Sequence, residues 1–156
     1  GLGIGPKAVG RVIGIAKAYC TRVGAGPFPS ELENREGEYL RVQGHEFGTV
    51  TGRPRRCGWF DAVQARYAVR VNGIDAIALT KLDVLSGLER IGVVTAYADG
   101  AVETQYYEGW LEDLRGVRRI AELPRAARSY VERLQSLTGI PIELVSVGPE
   151  RDQLAG

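Results

Sequence analysis

The stretch Asp61–Asp83, DAVQARYAVRVNGIDAIALTKLD, decides the fold class. Phe60, Val63, Tyr67 and Val71 recur at three- and four-residue spacing, which puts one apolar face on a helix over 61–71. Asn72-Gly73 stops that helix, because glycine accepts the left-handed backbone that closes one. Ile74–Leu79, IDAIAL, then reads as a buried strand. The same order returns downstream. Ala127, Tyr130, Val131, Leu134 and Leu137 mark a helix over 124–137, Gly139 closes it, and Ile140–Val147, IPIELVSV, forms another strand ending at Gly148-Pro149. Helix then strand, twice over, predicts an α/β fold with a mainly parallel sheet and flanking helices.

Outward from these units the signals thin. Lys7–Tyr19 is rich in small and apolar residues after Gly5-Pro6 and reads as a buried helix. Thr21–Leu32, with two glycines and two prolines, reads as an irregular loop, and Glu46–Trp59 as another. Arg35–Gln43 reads as a short polar helix ended by Gly44, although Gly37 disfavours it. Ile91–Ala98 is a further strand turning at Asp99-Gly100, and residues 101–122 carry no clear pattern.

The chain has 156 residues, enough for one domain with its own core. Lys plus Arg number 20 against 19 Asp plus Glu, so a general polyanion binder is not indicated and any anion site must be local. Two cysteines without metal-ligand spacing argue against a zinc site or a disulfide framework. With no long apolar run and no charged-then-apolar leader, a soluble, cytoplasmic chain without membrane contact is expected. Methionine is absent even at position 1, so an unprocessed translation product is not expected.

Three loops carry candidate chemistry. Ligands of α/β sheets bind outside the carboxyl ends of strands. Thr80-Lys81-Leu82-Asp83 follows the IDAIAL strand directly. A carboxylate there can accept from guanine N1–H and N2–H₂, a donor pair that adenine lacks, while a lysine stem covers the base face. A strand simply leaving into a solvated turn is the other reading. Ser146-Val147-Gly148 ends the last strand, where glycine permits close approach to a base edge; an ordinary strand exit is again the alternative. Thr49-Val50-Thr51-Gly52-Arg53-Pro54-Arg55-Arg56 suits a small dianion, because guanidinium forks bind carboxylates and phosphates bidentately. A solvated basic face, or an RNA contact with Trp59 stacking on a base, competes with that reading.

The blocks AYCTRVGAGPFPSEL (18–32), HEFGTVTGRPRRCGWFDAV (45–63), LTKLDVLSGL (79–88) and LTGIPIELVSVGPERD (137–152) together resemble adenylosuccinate synthetase, in that family's order. The resemblance implies a larger P-loop-like nucleotide-binding fold, of which residues 1–156 would form the C-terminal part of a single domain. It implies ligation of L-aspartate to IMP with GTP, giving adenylosuccinate, GDP and phosphate. The IMP 6-oxygen is phosphorylated first, and the aspartate amine then displaces that phosphate. By resemblance, Thr49, Val50, Thr51, Gly52, Arg53, Pro54 and Arg55 bind aspartate, Arg53 and Val23 meet IMP, and Arg55 also touches the GTP phosphates. Lys81, Leu82 and Asp83, with Ser146, Val147 and Gly148, hold the guanine.

The family's GDEGKG-type phosphate loop is missing from these residues. With it go the general base, the phosphate-binding lysine, the general acid and the expected ligands of Mg²⁺, so no catalytic or metal residue is assigned here. His45 is expected to position a loop rather than act as the acid, and the region 96–108 is shorter than in most members. A homodimer with IMP, aspartate and GTP as ligands, and no nucleic-acid partner, is implied. The alternatives are a non-catalytic guanine-nucleotide-binding module and an RNA-binding domain using the Arg53–Arg56 loop.

Overall fold

A computed structural model describes residues 3–5, 8–98 and 101–156. Along the chain, β1 (Ile13–Lys17) and β2 (Cys20–Arg22) precede α1 (Arg35–Gln43) and β3 (Arg56–Gly58). β4 (Phe60–Asp61) leads into α2 (Ala62–Asn72) and β5 (Ala76–Thr80). β6 (Leu88–Ala98), β7 (Ala101–Trp110), α3 (Arg125–Thr138), β8 (Ile142–Ser146) and β9 (Leu154–Ala155) complete the order.

The helices form where local chemistry closes their ends. The Asp61 side chain accepts from Gln64 N–H at the start of α2, and Gly73, left-handed, ends it. Asn34 caps α1 through Gly37 N–H. Gly37 is itself buried there, and a Cβ would stand 2.0 Å from the Leu32 carbonyl oxygen, so glycine at this position admits a close backbone crossing rather than weakening the helix. α3 buries Ala127, Tyr130, Val131 and Leu134, the stripe legible in the sequence, and ends at left-handed Gly139.

The main sheet has the order β1-β5-β8-β9. β1 and β8 both pair parallel with β5, as the helix–strand alternation requires, and β9 adds an antiparallel edge. A second sheet, β4-β6-β7, joins a parallel pair to a long antiparallel hairpin, and β2 pairs antiparallel with β3. The core between these layers holds Tyr19, Leu40, Leu79, Leu82, Leu85, Ile91, Leu114, Tyr130 and Leu134, all essentially inaccessible. Each such aliphatic or aromatic side chain stabilises by roughly 1.5–3 kcal/mol. The Tyr130 hydroxyl donates to the Ala18 carbonyl at 2.9 Å, fixing α3 to the end of β1.

Several expectations are corrected. The helix expected over 7–19 is, over its described residues 8–19, instead β1 within irregular chain, and Lys7 lies outside the described residues. Val12, Ile13 and Ile15 are β-branched, Gly10 and Gly14 disfavour a helix, and the ladder from Ile13↔Ala76 to Lys17↔Thr80 decides the outcome. Gly14 packs against Ile74, while Ile15 points outward at 81% exposure. The two irregular loops, 21–32 and 46–59, contain β2 residues and β3, which tie them together. Residues 101–110, without a legible pattern, form β7. The expected turn at Asp99-Gly100 lies outside the described residues. Among the described residues no helix is long and apolar enough to cross a membrane. Both cysteines are free, and burial pushes each thiol up to about 11.

Candidate functional site

The parallel pairing aligns the carboxyl ends of β1, β5 and β8, and the chemistry gathers there. A cleft of about 670 Å³ is lined by Gly44, His45, Lys81, Asp83, Gly148 and Pro149, together with Leu111 and Arg115. The loop after β5 and the loop after β8 therefore meet in one site.

Lys81 adopts a left-handed backbone with φ 62°, and His45, which also lines the cleft, has φ 49°. They are the only non-glycine residues of positive φ among the described residues. Such conformations cost about 1–2 kcal/mol and persist where the surroundings over-determine them. Lys81 is so determined: its Nζ donates to the Gly44 carbonyl at 2.6 Å and to Glu46 Oε1 at 2.8 Å. The chain then turns through Leu82–Leu85 as one 3₁₀ turn, which presents Asp83 to the cleft. Burial pushes the Asp83 carboxyl above its ordinary value, and Lys81 and Arg115 offset this only in part. Leu82 and Val147 are buried core side chains, so a ligand would meet only their backbone. The Ser146 hydroxyl donates to the Gly148 carbonyl at 3.0 Å and shapes the exit of β8.

The arginine loop stands beside this cleft. Gly48 N–H donates to the Arg53 carbonyl at 2.9 Å and Gly52 N–H to the Gly48 carbonyl at 2.8 Å, closing the tip Thr49–Gly52. Thr49, Val50, Thr51, Gly52, Arg53 and Pro54 are solvent-facing, and Val50 is 96% exposed. Arg53 forms no ion pair among the described residues, whereas Arg55 donates from Nη1 to Glu46 Oε2 at 2.8 Å. Arg56 turns away. It pairs with Glu31 and donates to the Gly24 and Gly26 carbonyls at 3.0 and 2.7 Å, pinning the loop that carries Val23 to β3. Val23 itself is 71% exposed. Trp59 is 4% exposed and meets Tyr106 edge-on at 6.5 Å. A surface that stacks bases on Trp59 and uses Arg56 as a free cation is thus not what folds.

Glu46 is the residue that sequence reasoning missed. Its side chain is wholly buried, and it accepts from Tyr19, Lys17, Lys81 and Arg55. Burial opposes its charge, but those four donors outweigh burial and bring the carboxyl down to about 2. Asp113 and Arg115, which pair with each other near Asp83, were also missed. Among the described residues no group of three or more His, Cys, Asp or Glu is placed to hold a metal ion.

A model of the adenylosuccinate synthetase family matches residues 1–155. The chain belongs to the adenylosuccinate synthetase family. The adenylosuccinate synthetases of Pelotomaculum thermopropionicum and Geobacter sulfurreducens are 52% and 55% identical to it, each over 170 residues and 98% of the chain. The chain spans only about 40% of the length of these relatives. The aligned span exceeds the chain's own 156 residues, so the relatives carry positions within it that this chain lacks. The fully ligated adenylosuccinate synthetase of Plasmodium falciparum superposes with a TM-score of 0.94 at 40% identity, covering 99% of this chain and 42% of that one. A cyanophage S-2L succinoaminodeoxyadenylate synthetase, 20% identical with a TM-score of 0.52 over 92% of this chain and 32% of that one, shares the fold alone. In the family's frame, Lys81, Asp83 and Gly148 come together in one cleft. Arg55, on a separate loop that also carries Arg53, is linked to it through Glu46, and Val23 lies on a third segment tied in through Arg56.

Proposed function

We propose that this chain supplies the guanine-recognition cleft and the aspartate-binding loop of a ligase that joins L-aspartate to IMP at the expense of GTP, forming adenylosuccinate, GDP and phosphate in purine biosynthesis. The observation that carries this reading is the convergence of Lys81, Asp83 and Gly148 on one cleft, with the Asp83 carboxylate half-buried and facing the space. A carboxylate there accepts from guanine N1–H and N2–H₂, and rejects adenine by leaving buried polar groups unpaired. The Lys81 stem covers the base, and Ser146, Leu82 and Val147 contribute through backbone.

The Arg53 guanidinium, without a partner among the described residues, meets the aspartate carboxylates and IMP. Arg55, anchored on one side, presents its remaining donors to aspartate and the nucleotide phosphates. Such groups act electrostatically, holding charge that builds as the phosphoryl group moves. Thr49, Val50, Thr51, Gly52 and Pro54 shape the loop, and Val23 lies against the IMP ribose. Mg²⁺, with ligands outside these residues, would neutralise phosphate charge. The working form is a cytoplasmic homodimer without nucleic-acid or membrane partners.

The test is formation of adenylosuccinate by the complete protein from IMP and aspartate, with GTP and then ATP as donor. Turnover with GTP alone is expected. Selective GTP binding without turnover would favour a non-catalytic guanine-nucleotide module, and salt-dependent RNA binding without nucleotide selectivity would overturn both.

A further inference from the structure

Glu46 has no place in the site as built from the sequence, yet two of the site's cations, Lys81 and Arg55, end on it together with Lys17. Its Oε1 accepts from Tyr19 at 2.7 Å, Lys81 at 2.8 Å and Lys17 at 2.9 Å, and its Oε2 accepts from Arg55 at 2.8 Å. These donors come from different elements: the carboxyl end of β1, the exit of β5 and the far end of the arginine loop. The carboxylate is fully inaccessible, whereas Lys17, Arg55 and Lys81 are 28%, 33% and 35% exposed. Each cation thus has an inner side held by Glu46 and an outer side left for something else.

Donor counting agrees. Lys81 uses two of its three N–H groups, on Glu46 and the Gly44 carbonyl, and Lys17 uses two, on Glu46 and Thr21. Three cations against one anion leave an excess of positive charge, which suits anionic ligands arriving from the cleft and from the loop.

We infer that Glu46 is a positioning residue that sets the arginine loop in register with the guanine cleft, so that one buried carboxylate orients both Arg55 and Lys81. It touches no substrate and acts through those two side chains. The inference rests on the reading of the cleft and loop given above. A residue that served only to hold the fold together would lower the amount of active protein or the turnover, without a paired change in the two substrates' apparent affinities.

The test is steady-state kinetics of the complete protein, comparing the parent with Glu46→Gln and Glu46→Asp. Glu46→Gln keeps the side-chain volume and removes the charge. It is expected to raise the KM for aspartate and the KM for GTP together, each about tenfold, the equivalent of one weakened charge-assisted hydrogen bond. Glu46→Asp keeps the charge with a shorter reach, and is expected to move the same two constants by a smaller factor. If Glu46→Gln does not fold, the Asp variant decides. Lower turnover with both KM values unchanged, or a shift in only one of them, overturns the role assigned to Glu46 while the parent's GTP-selective ligation still stands. A parent that shows no GTP-selective ligation overturns both.

Discussion

The cleft at Lys81–Asp83 and the tip of the arginine loop at Thr49–Pro54 are built on opposite terms. In the cleft the backbone is strained, the carboxylate is half-buried, and the lysine is tied at both ends of its reach. At the tip, two backbone hydrogen bonds close the turn and nearly everything else faces solvent. A base of fixed shape is read best by a preformed site, because discrimination comes from groups that cannot relax to suit the wrong partner. A small, flexible dicarboxylate is captured best by a loop whose arginine is not already committed. Arg55, at the junction, belongs to both.

The sharpest way to break this contrast is Asp83→Asn. If the cleft is preformed, the amide should exchange the donor pattern, weaken GTP and favour xanthosine triphosphate. Two charge-assisted contacts at stake predict a change in selectivity of about a thousandfold, read from kcat/KM for the two nucleotides. Equal behaviour with the parent would remove Asp83 from base reading.

Acid separates the regions further. The Glu46 carboxyl lies at about 2 in the folded chain against 4.5 when free. A depressed value means stability that is fully present above the unfolded value and drains away as pH falls from about 4.5 towards about 2. The amount is roughly 3 kcal/mol, measured by denaturant unfolding of parent and Glu46→Gln across that range. Asp83 shifts the other way and protonates above its ordinary 3.8, so GTP affinity should weaken as pH falls. GTP binding that stays constant on acidification of the folded chain would remove Asp83 from the contact.

On the loop side, Arg53→Leu should cut kcat/KM for aspartate about thirtyfold, the scale of one lost charged contact, with thermal stability unchanged because the Arg53 guanidinium has no partner among the described residues and the backbone bonds of the turn are kept. A melting shift instead would mean that the tip is structural. The smallest effect belongs to Gly52, at φ 64° with nothing within 4 Å of a Cβ. Gly52→Ala introduces only left-handed strain of about 1 kcal/mol, seen as a rise of about fivefold in the aspartate KM. A change in GTP use would show that the tip and the cleft are less separate than drawn here.

Much of this was legible before any coordinates. α2 and α3 announce themselves through local apolar repeats with an Asp or Gly at the ends, and β5 and β8 follow as mainly apolar runs. Only α3 buries the stripe legible in its sequence; on α2, Tyr67 and Val71 are 61% and 60% exposed and Ala62 is the buried residue. The cleft loops were legible because strand ends in α/β sheets collect ligands. β1 was not, since an edge strand with Gly14 inward and Ile15 outward imitates a small-residue helix until β5 pairs with it. β7 alternates, but with Glu103, Gln105 and Glu108 among its residues it shows no apolar stripe. Glu46 left no local trace at all. Its partners lie 9, 27, 29 and 35 residues away in the chain, and only the parallel register of β1 with β5 brings Lys17 and Lys81 to it.

The left-handed backbone at Lys81 sets two demands against each other at a single codon. The main chain would be more comfortable with glycine, while the buried acid and the base-binding face need an amine on a long stem. A library screened for heat resistance should nonetheless keep the amine, because the roughly 1–2 kcal/mol of left-handed strain that glycine would relieve is smaller than the cost of leaving the buried Glu46 carboxylate short of a cation. The fold and the cleft thus ask for the same side chain at that position, and the strained backbone is what both tolerate for it.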